Sequence, residues 1–171
     1  MQTIEKKPLI LTIRFDPDSE AFFNAQREFY FPPERNFLQA HLTVFHQLPD
    51  QPATYGFLAG LDMSSFNIQV TGLMNLGAGV AYRLESQELA ALHRQLSAHF
   101  LQFLIPQDRH GFRPHVVIMN KSTPENARAL MSGLSVDFKP FKVQATGLDL
   151  WAYLGGPWSH QESFLFNCSQ G

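Results

Sequence analysis

At 171 residues, 44% of them hydrophobic and 16 of them Phe, the chain suits one domain, or two small lobes sharing a core, held by apolar burial alone. Its net charge of −2, without a block of Lys or Arg, excludes the electrostatic footprint of a protein that coats long duplex nucleic acid, though not a small phosphate ligand or an RNA end. One cysteine, Cys168, cannot form an internal bridge, no apolar run approaches the roughly 20 residues of a membrane span, and the start MQTIEKKPLILTIRF has no signal-peptide layout. The expectation is a cytoplasmic monomer with no membrane partner.

Pro8 to Phe15 is rich in β-formers and stops at Asp16-Pro17, which reads as a strand and a turn. Ser19 to Tyr30 follows helical spacing with Asp18 or Ser19 as N-cap, and Pro32-Pro33 ends it. A strand over Ala40 to Gln47 follows, then a proline break, then a short helix over Thr54 to Leu61. Phe66 to Leu73 and Val80 to Leu84 flank Gly77-Ala78-Gly79 as a hairpin, in which only one of Tyr82 and Arg83 can face a groove. Ser86 to Leu104 carries Leu89, Leu92, Leu96, Phe100, Phe103 and Leu104 at helical steps, closed by Pro106, with His93 and His99 expected on its exposed side. Beyond the loop Gln107 to Pro114 come a strand His115 to Asn120, a helix from Thr123 to about Ser132, and strands Phe141 to Tyr153 and Glu162 to Asn167. The order within each half reads as helix, histidine strand, helix, hairpin, an α+β arrangement.

The chain repeats itself. Phe66-Asn67-Ile68-Gln69-Val70-Thr71-Gly72-Leu73 recurs 75 residues later as Phe141-Lys142-Val143-Gln144-Ala145-Thr146-Gly147-Leu148. The strand preceding each copy starts with a histidine, His41-Leu42-Thr43-Val44-Phe45 in the first half and His115-Val116-Val117-Ile118-Met119 in the second. Strand alternation puts His41, Thr43 and Phe45 on one face and Leu42, Val44 and His46 on the other. A lone histidine on an apolar strand is ordinarily a core imidazole bonded to backbone. Two that keep step with a duplicated framework point instead to one site shared by both halves, facing each other across a pseudo-two-fold axis. A base and an acid so placed suit in-line displacement at phosphorus, where the attacking and leaving oxygens lie on opposite sides.

The pattern His-Leu-Thr-Val, repeated behind Phe112-Arg113-Pro114-His115, resembles the 2H phosphoesterases, in particular the branch of 2′-5′ RNA ligase-like proteins and RNA 2′,3′-cyclic phosphodiesterases. The resemblance covers nearly the whole chain. It implies a bilobal α+β fold, two pseudo-symmetric antiparallel-sheet lobes with helices outside and a central groove, as one domain with halves near 1–84 and 85–171. It also implies metal-independent, cofactor-free chemistry on phosphodiesters at RNA or nucleotide ends. His41 and Thr43 match the first motif and His115 the second, while Val117 stands where Thr or Ser is expected. The loss of one charge-assisted bond to phosphate costs about 1.5 to 3 kcal/mol.

Arg113 and Lys121 are candidates to neutralise phosphate, or are solvated surface charges; Tyr153 and Trp158 are candidates to stack a base, or pack a lobe interface. His41 and His46, like His110 and His115, are five apart, which on a strand sends the rings to opposite faces and disfavours a shared metal. Nothing near Cys168 in sequence lowers its pKa for nucleophilic work.

Overall fold

A computed structural model describes residues 7–168. Its elements are β1 (Leu9–Phe15), α1 (Pro17–Tyr30), β2 (Thr43–Leu48), α2 (Pro52–Ala59), β3 (Phe66–Asn75), β4 (Val80–Glu85), α3 (Gln87–Phe100), the short α4 (Pro106–Arg109), β5 (His115–Met119), α5 (Pro124–Asp137), β6 (Phe141–Tyr153) and β7 (Trp158–Leu165). Several boundaries differ from the sequence expectation for local reasons. Asp16-Pro17 is a helix start and not a turn, because the Asp16 carboxylate accepts from Ser19 N and Pro17 takes the first helical position. α3 gives way at Leu101 to a turn of 3-10 helix, since Ile105 precedes a proline and resists the helical conformation, and Pro106 then opens α4. The last strand begins at Trp158, four residues before the expected Glu162.

All seven strands form one antiparallel sheet in the order β2-β1-β6-β3-β4-β5, with β7 pairing the later part of β6, Gly147 to Tyr153, beyond the stretch that β3 takes. The order is a palindrome. Exchanging the halves turns β2 into β5, β1 into β4 and β6 into β3. At its centre Ile68 pairs with Val143, its own counterpart in the repeat, so the pseudo-two-fold axis passes through that pair. The lobes are therefore two wings of a single sheet, and the last strand of each half is built into the wing of the other. This replaces the expected order of helix, histidine strand, helix and hairpin within each half: a strand, β1 or β4, leads each unit.

Leu9, Leu11, Ile13 and Phe15 of β1, Ile68 and Val70 of β3, Leu84 of β4, Val116 and Ile118 of β5 and Leu148 and Leu150 of β6 make a continuous core with Phe23 of α1 and Leu89, Leu92 and Leu96 of α3. Leu11 pairs with Phe45 but Thr12 pairs with Thr43, a bulge that interrupts strand alternation. Phe45 therefore turns into the core, fully buried, and does not share a face with Thr43 as the sequence pattern predicts. His93 is likewise not exposed: it is half-buried, stacked between Phe45 and Phe112 at centroid distances of 4.8 and 4.1 Å. His99 is exposed and stacks on Phe57.

The outermost strands are covered by helices. Val117 O on β5 accepts from Arg27 of α1, and the backbone N–H groups of His46 and Gln47 on β2 donate to the buried Asp108 of α4. Burial alone would push the Asp108 carboxyl up, but these bonds and the His46 ring hold it below the usual carboxylate range.

Candidate active site

His41 lies two residues before the first ladder residue of β2, in an extended lead-in held by the bond from Ile13 N to Leu42 O, and His115 opens β5. The two rings are anchored alike. Nδ1 of His41 donates to Gln39 O and Nδ1 of His115 donates to Arg113 O, each across 2.8 Å to the carbonyl two residues back. A carbonyl only accepts, so Nδ1 carries the hydrogen and Nε2 is left as the working nitrogen in both.

The rows across the sheet show what surrounds each ring. In the first wing Thr43 pairs with Thr12, Thr12 with Asp149, and Asp149 with Ser163. Arg14 pairs with Gly147, and the register carries His41 to the position beside Arg14. In the second wing Val117 pairs with Ala81 and Ala81 with Met74, while His115 pairs with Arg83 and Arg83 with Gly72. The His-Arg-Gly row is present on both sides. The other row is polar in the first wing and apolar in the second, so the Val117 exchange is one member of a set that includes Ala81 and Met74.

The polar row is knitted together. The Asp149 carboxylate accepts from Ser163 Oγ at 2.6 Å, from His160 Nε2 at 3.0 Å and from Arg14 Nη1 at 3.2 Å, and Thr12 Oγ1 accepts from Trp151 Nε1 at 3.0 Å. A cavity of about 640 Å³ opens beside it, walled by His41, Trp151, Trp158, His160 and Phe37, with Glu20 of α1 at its border. Trp158 lies against the His41 ring, centroids 4.6 Å apart. Burial pushes the Glu20 carboxyl up to about 7, the Asn24 bond pulling the other way and the Asp149 charge adding to the rise.

His41 keeps part of its surface open, yet the ring is crowded, and burial lowers its pKa to about 4. The carbonyl of Gln39 opposes that shift, and the charges of Arg27, His115 and His46 add to it. His115 is thus within electrostatic reach of His41. So is Arg27, which sequence patterning misses: on an amphipathic helix it reads as a surface charge, but it is only 5% exposed. Its Nε donates to Asn36 Oδ1 at 2.7 Å and its Nη1 to Val117 O at 3.3 Å, and one turn earlier Asn24 Oδ1 accepts from Ala40 N at 2.7 Å. Through these bonds α1 holds the segment leading to His41 and the strand carrying His115 at once.

The remaining sequence candidates are placed unequally. Thr43 pairs with Thr12 but is outside the lining of the cavity, and Val117 and Arg83 share the face of His115 while Tyr82 is buried against α1. Arg113 is exposed just before His115 and supplies it a carbonyl. Lys121 is not brought to the pair: it lies past Met119, which is four strand steps or about 13 Å from His115, in a turn with φ of 57°. Tyr153 pairs with Trp158 at the end of β6 but is outside the lining of the cavity. His46 turns away to Asp108 and shares no site with His41. Asp149, His160 and Ser163 carry no motif that sequence reading could seize.

Two histidine strands related by a pseudo-two-fold, each ring anchored through Nδ1 to the carbonyl two residues back, are the marks of a phosphoesterase of the two-histidine class. Residues 15–157 match the model of the 2′-5′ RNA ligase superfamily, and the chain belongs to that family. Solved structures share the fold: Escherichia coli LigT complexed with 3′-AMP is 16% identical, covering 95% of this chain and 99% of that one with a TM-score of 0.64. TT0787 of Thermus thermophilus is 17% identical over 92% of this chain and 97% of its own, also at 0.64. LigT complexed with NADP+ is 18% identical over 95% and 99%, at 0.60. No curated protein matches the chain. Among the described residues, no helix is long and apolar enough to cross a membrane.

Proposed function

We propose that this protein is a metal-independent phosphodiesterase, a cytoplasmic monomer acting as one bilobal unit on a 2′,3′-cyclic phosphate or a related phosphodiester at an RNA or nucleotide end. The observation that carries the reading is the matched anchoring of His41 and His115, which leaves two Nε2 atoms, one from each wing, for a phosphate between them. One imidazole takes a proton from the attacking water while the other protonates the departing ribose oxygen, and the roles exchange in the reverse, ligating direction. Thr43 donates to a non-bridging oxygen and Arg113 adds positive charge at the entrance. The nucleoside lies in the cavity beside His41, its base against Trp158, with Tyr153 at the rim. Nucleotide binding by LigT, seen with 3′-AMP and NADP+, supports a ligand of this size.

The test is hydrolysis of nucleoside 2′,3′-cyclic phosphates in the presence of a chelator, with His41→Ala and His115→Ala alongside. Turnover should persist with the chelator and fall by at least 100-fold, on the order expected for a lost acid or base, in either variant. Activity that disappears with the chelator, or outlasts both substitutions, overturns the reading.

A second reading is favoured by the apolar row Val117, Ala81 and Met74: a protein that binds nucleotide or RNA ends in an inherited groove and turns them over weakly or not at all. It predicts binding of a nucleoside monophosphate that His41→Ala weakens, without measurable hydrolysis by the wild type.

A further inference from the structure

We propose that Arg83 is the residue that grips the phosphate on the His115 side of the groove, in place of the hydroxyl that Val117 lacks; the inference rests on the two-histidine reading of the site. Arg83 pairs directly with His115 across β4 and β5, so their side chains stand on the same face at neighbouring positions. The equivalent position in the first wing holds Arg14. The pairs agree at every step: Thr12 with Thr43 matches Ala81 with Val117, and Arg14 with Gly147 matches Arg83 with Gly72.

The two arginines are nevertheless in opposite states. Arg14 is committed, its Nη1 bonded to Asp149 and Ser163, and its charge is offset by that carboxylate. The side chain of Arg83 has no ion pair and no hydrogen bond among the described residues, and it is exposed. Its guanidinium reaches over Gly72 on the neighbouring strand, where a Cβ would stand 3.8 Å from Arg83 Nη1, an ordinary van der Waals contact. Around it Val117, Ala81 and Met74 offer no donor. A phosphate group bridging the histidines therefore meets a hydroxyl on one side, from Thr43, and an uncompensated guanidinium on the other. Arginine suits that task because its planar fork can donate two parallel bonds to phosphate oxygens.

The experiment is titration of the protein with inorganic phosphate at low salt, following the imidazole proton resonances of His41 and His115 by NMR, for the wild type, Arg83→Gln, Arg83→Lys and Arg14→Gln. Arg83 is exposed, so the fold is not at stake. Arg83→Gln is expected to raise the phosphate Kd by about fivefold or more, and more than Arg14→Gln does, as the loss of a charge-assisted bond requires. Arg83→Lys should recover part of the loss, and so should Val117→Thr added to Arg83→Gln. A smaller rise, or one no larger than for Arg14→Gln, overturns the assignment of Arg83. If phosphate moves both imidazoles alike in wild type and Arg83→Gln, Arg83 alone is discarded. If it moves neither in the wild type, the two-histidine reading falls with it.

Discussion

Arg27 reaches from α1 to the main-chain carbonyl of Val117, Nη1 to O at 3.3 Å, so the strand position without a hydroxyl is fixed from behind by a buried cation. Burial lowers this guanidinium to about 10, still charged at neutral pH, and it lies over the Phe31 ring at 4.1 Å. One side chain thus spaces the two histidine strands and adds to the field that disfavours a proton on His41.

Substituting Arg27→Met should have two separable effects. Loss of the bonds to Asn36 and Val117 leaves two acceptors without a partner and destabilises the fold by about 2 to 4 kcal/mol, measured by urea unfolding. Removal of the charge should raise the His41 pKa, read by proton NMR titration. An unchanged His41 titration would show that the charge does not reach the ring.

The depressed His41 pKa ties stability to pH in a definite direction. Because the native ring binds its proton less tightly than the unfolded one, its contribution is fully present above the unfolded value of 6.5 and is lost as pH falls through the window down to about 4. The melting temperature should decline across that window more steeply in the wild type than in His41→Gln. Binding of a phosphate anion should raise the His41 pKa, shifting its titration towards neutral pH.

Trp158→Leu removes the face that covers His41 and the wall of the cavity. If a base stacks there, KM for nucleoside 2′,3′-cyclic phosphates should rise by roughly 5- to 150-fold, the range of a stacking contact worth about 1 to 3 kcal/mol. Binding of inorganic phosphate should change far less. Equal losses for both ligands would mean that Trp158 serves only to hold His41.

Val117→Thr puts a hydroxyl back on the His115 face, with Arg83 already beside it. The expected change in kcat/KM is less than about fivefold, about 1 kcal/mol, because the hydroxyl duplicates a charge-assisted bond that Arg83 already supplies. A gain of about tenfold or more, the equivalent of 1.4 kcal/mol in the barrier, would mark the native protein as one whose turnover has been weakened, and would favour the binding reading.

The histidine pair is legible in the sequence because a repeat advertises itself: two copies of Phe-x-x-Gln-x-Thr-Gly-Leu set a ruler against which His41 and His115 fall in step. The inequality at Val117 is equally visible. What surrounds the pair is not. Arg27 and Asn24 act through the docking of α1 against the histidine segments, a tertiary event that helical periodicity does not encode. The difference between Arg14 and Arg83 needs strand register, which assigns Asp149 to one wing and Met74 to the equivalent row of the other. Simple alternation misplaces Phe45 because a bulge between the Leu11–Phe45 and Thr12–Thr43 pairs reverses its face, and a second register shift before the Leu9–Leu48 pair returns Leu48 to the core.

The pairing of Ile68 with Val143 has a consequence for how the chain holds together. A residue meeting its own equivalent across an axis is the geometry of an isologous contact between identical subunits. Here the two partners are successive stretches of one polypeptide, and the hairpin turn around Gly77, at φ of 95°, is the tether between them. Cutting that tether would not release two finished pieces. The fragment ending in β3 would lack β6, the neighbour of its own β1, and the fragment starting at β4 would lack β3, so each should recover a complete sheet only by reassembling with the other.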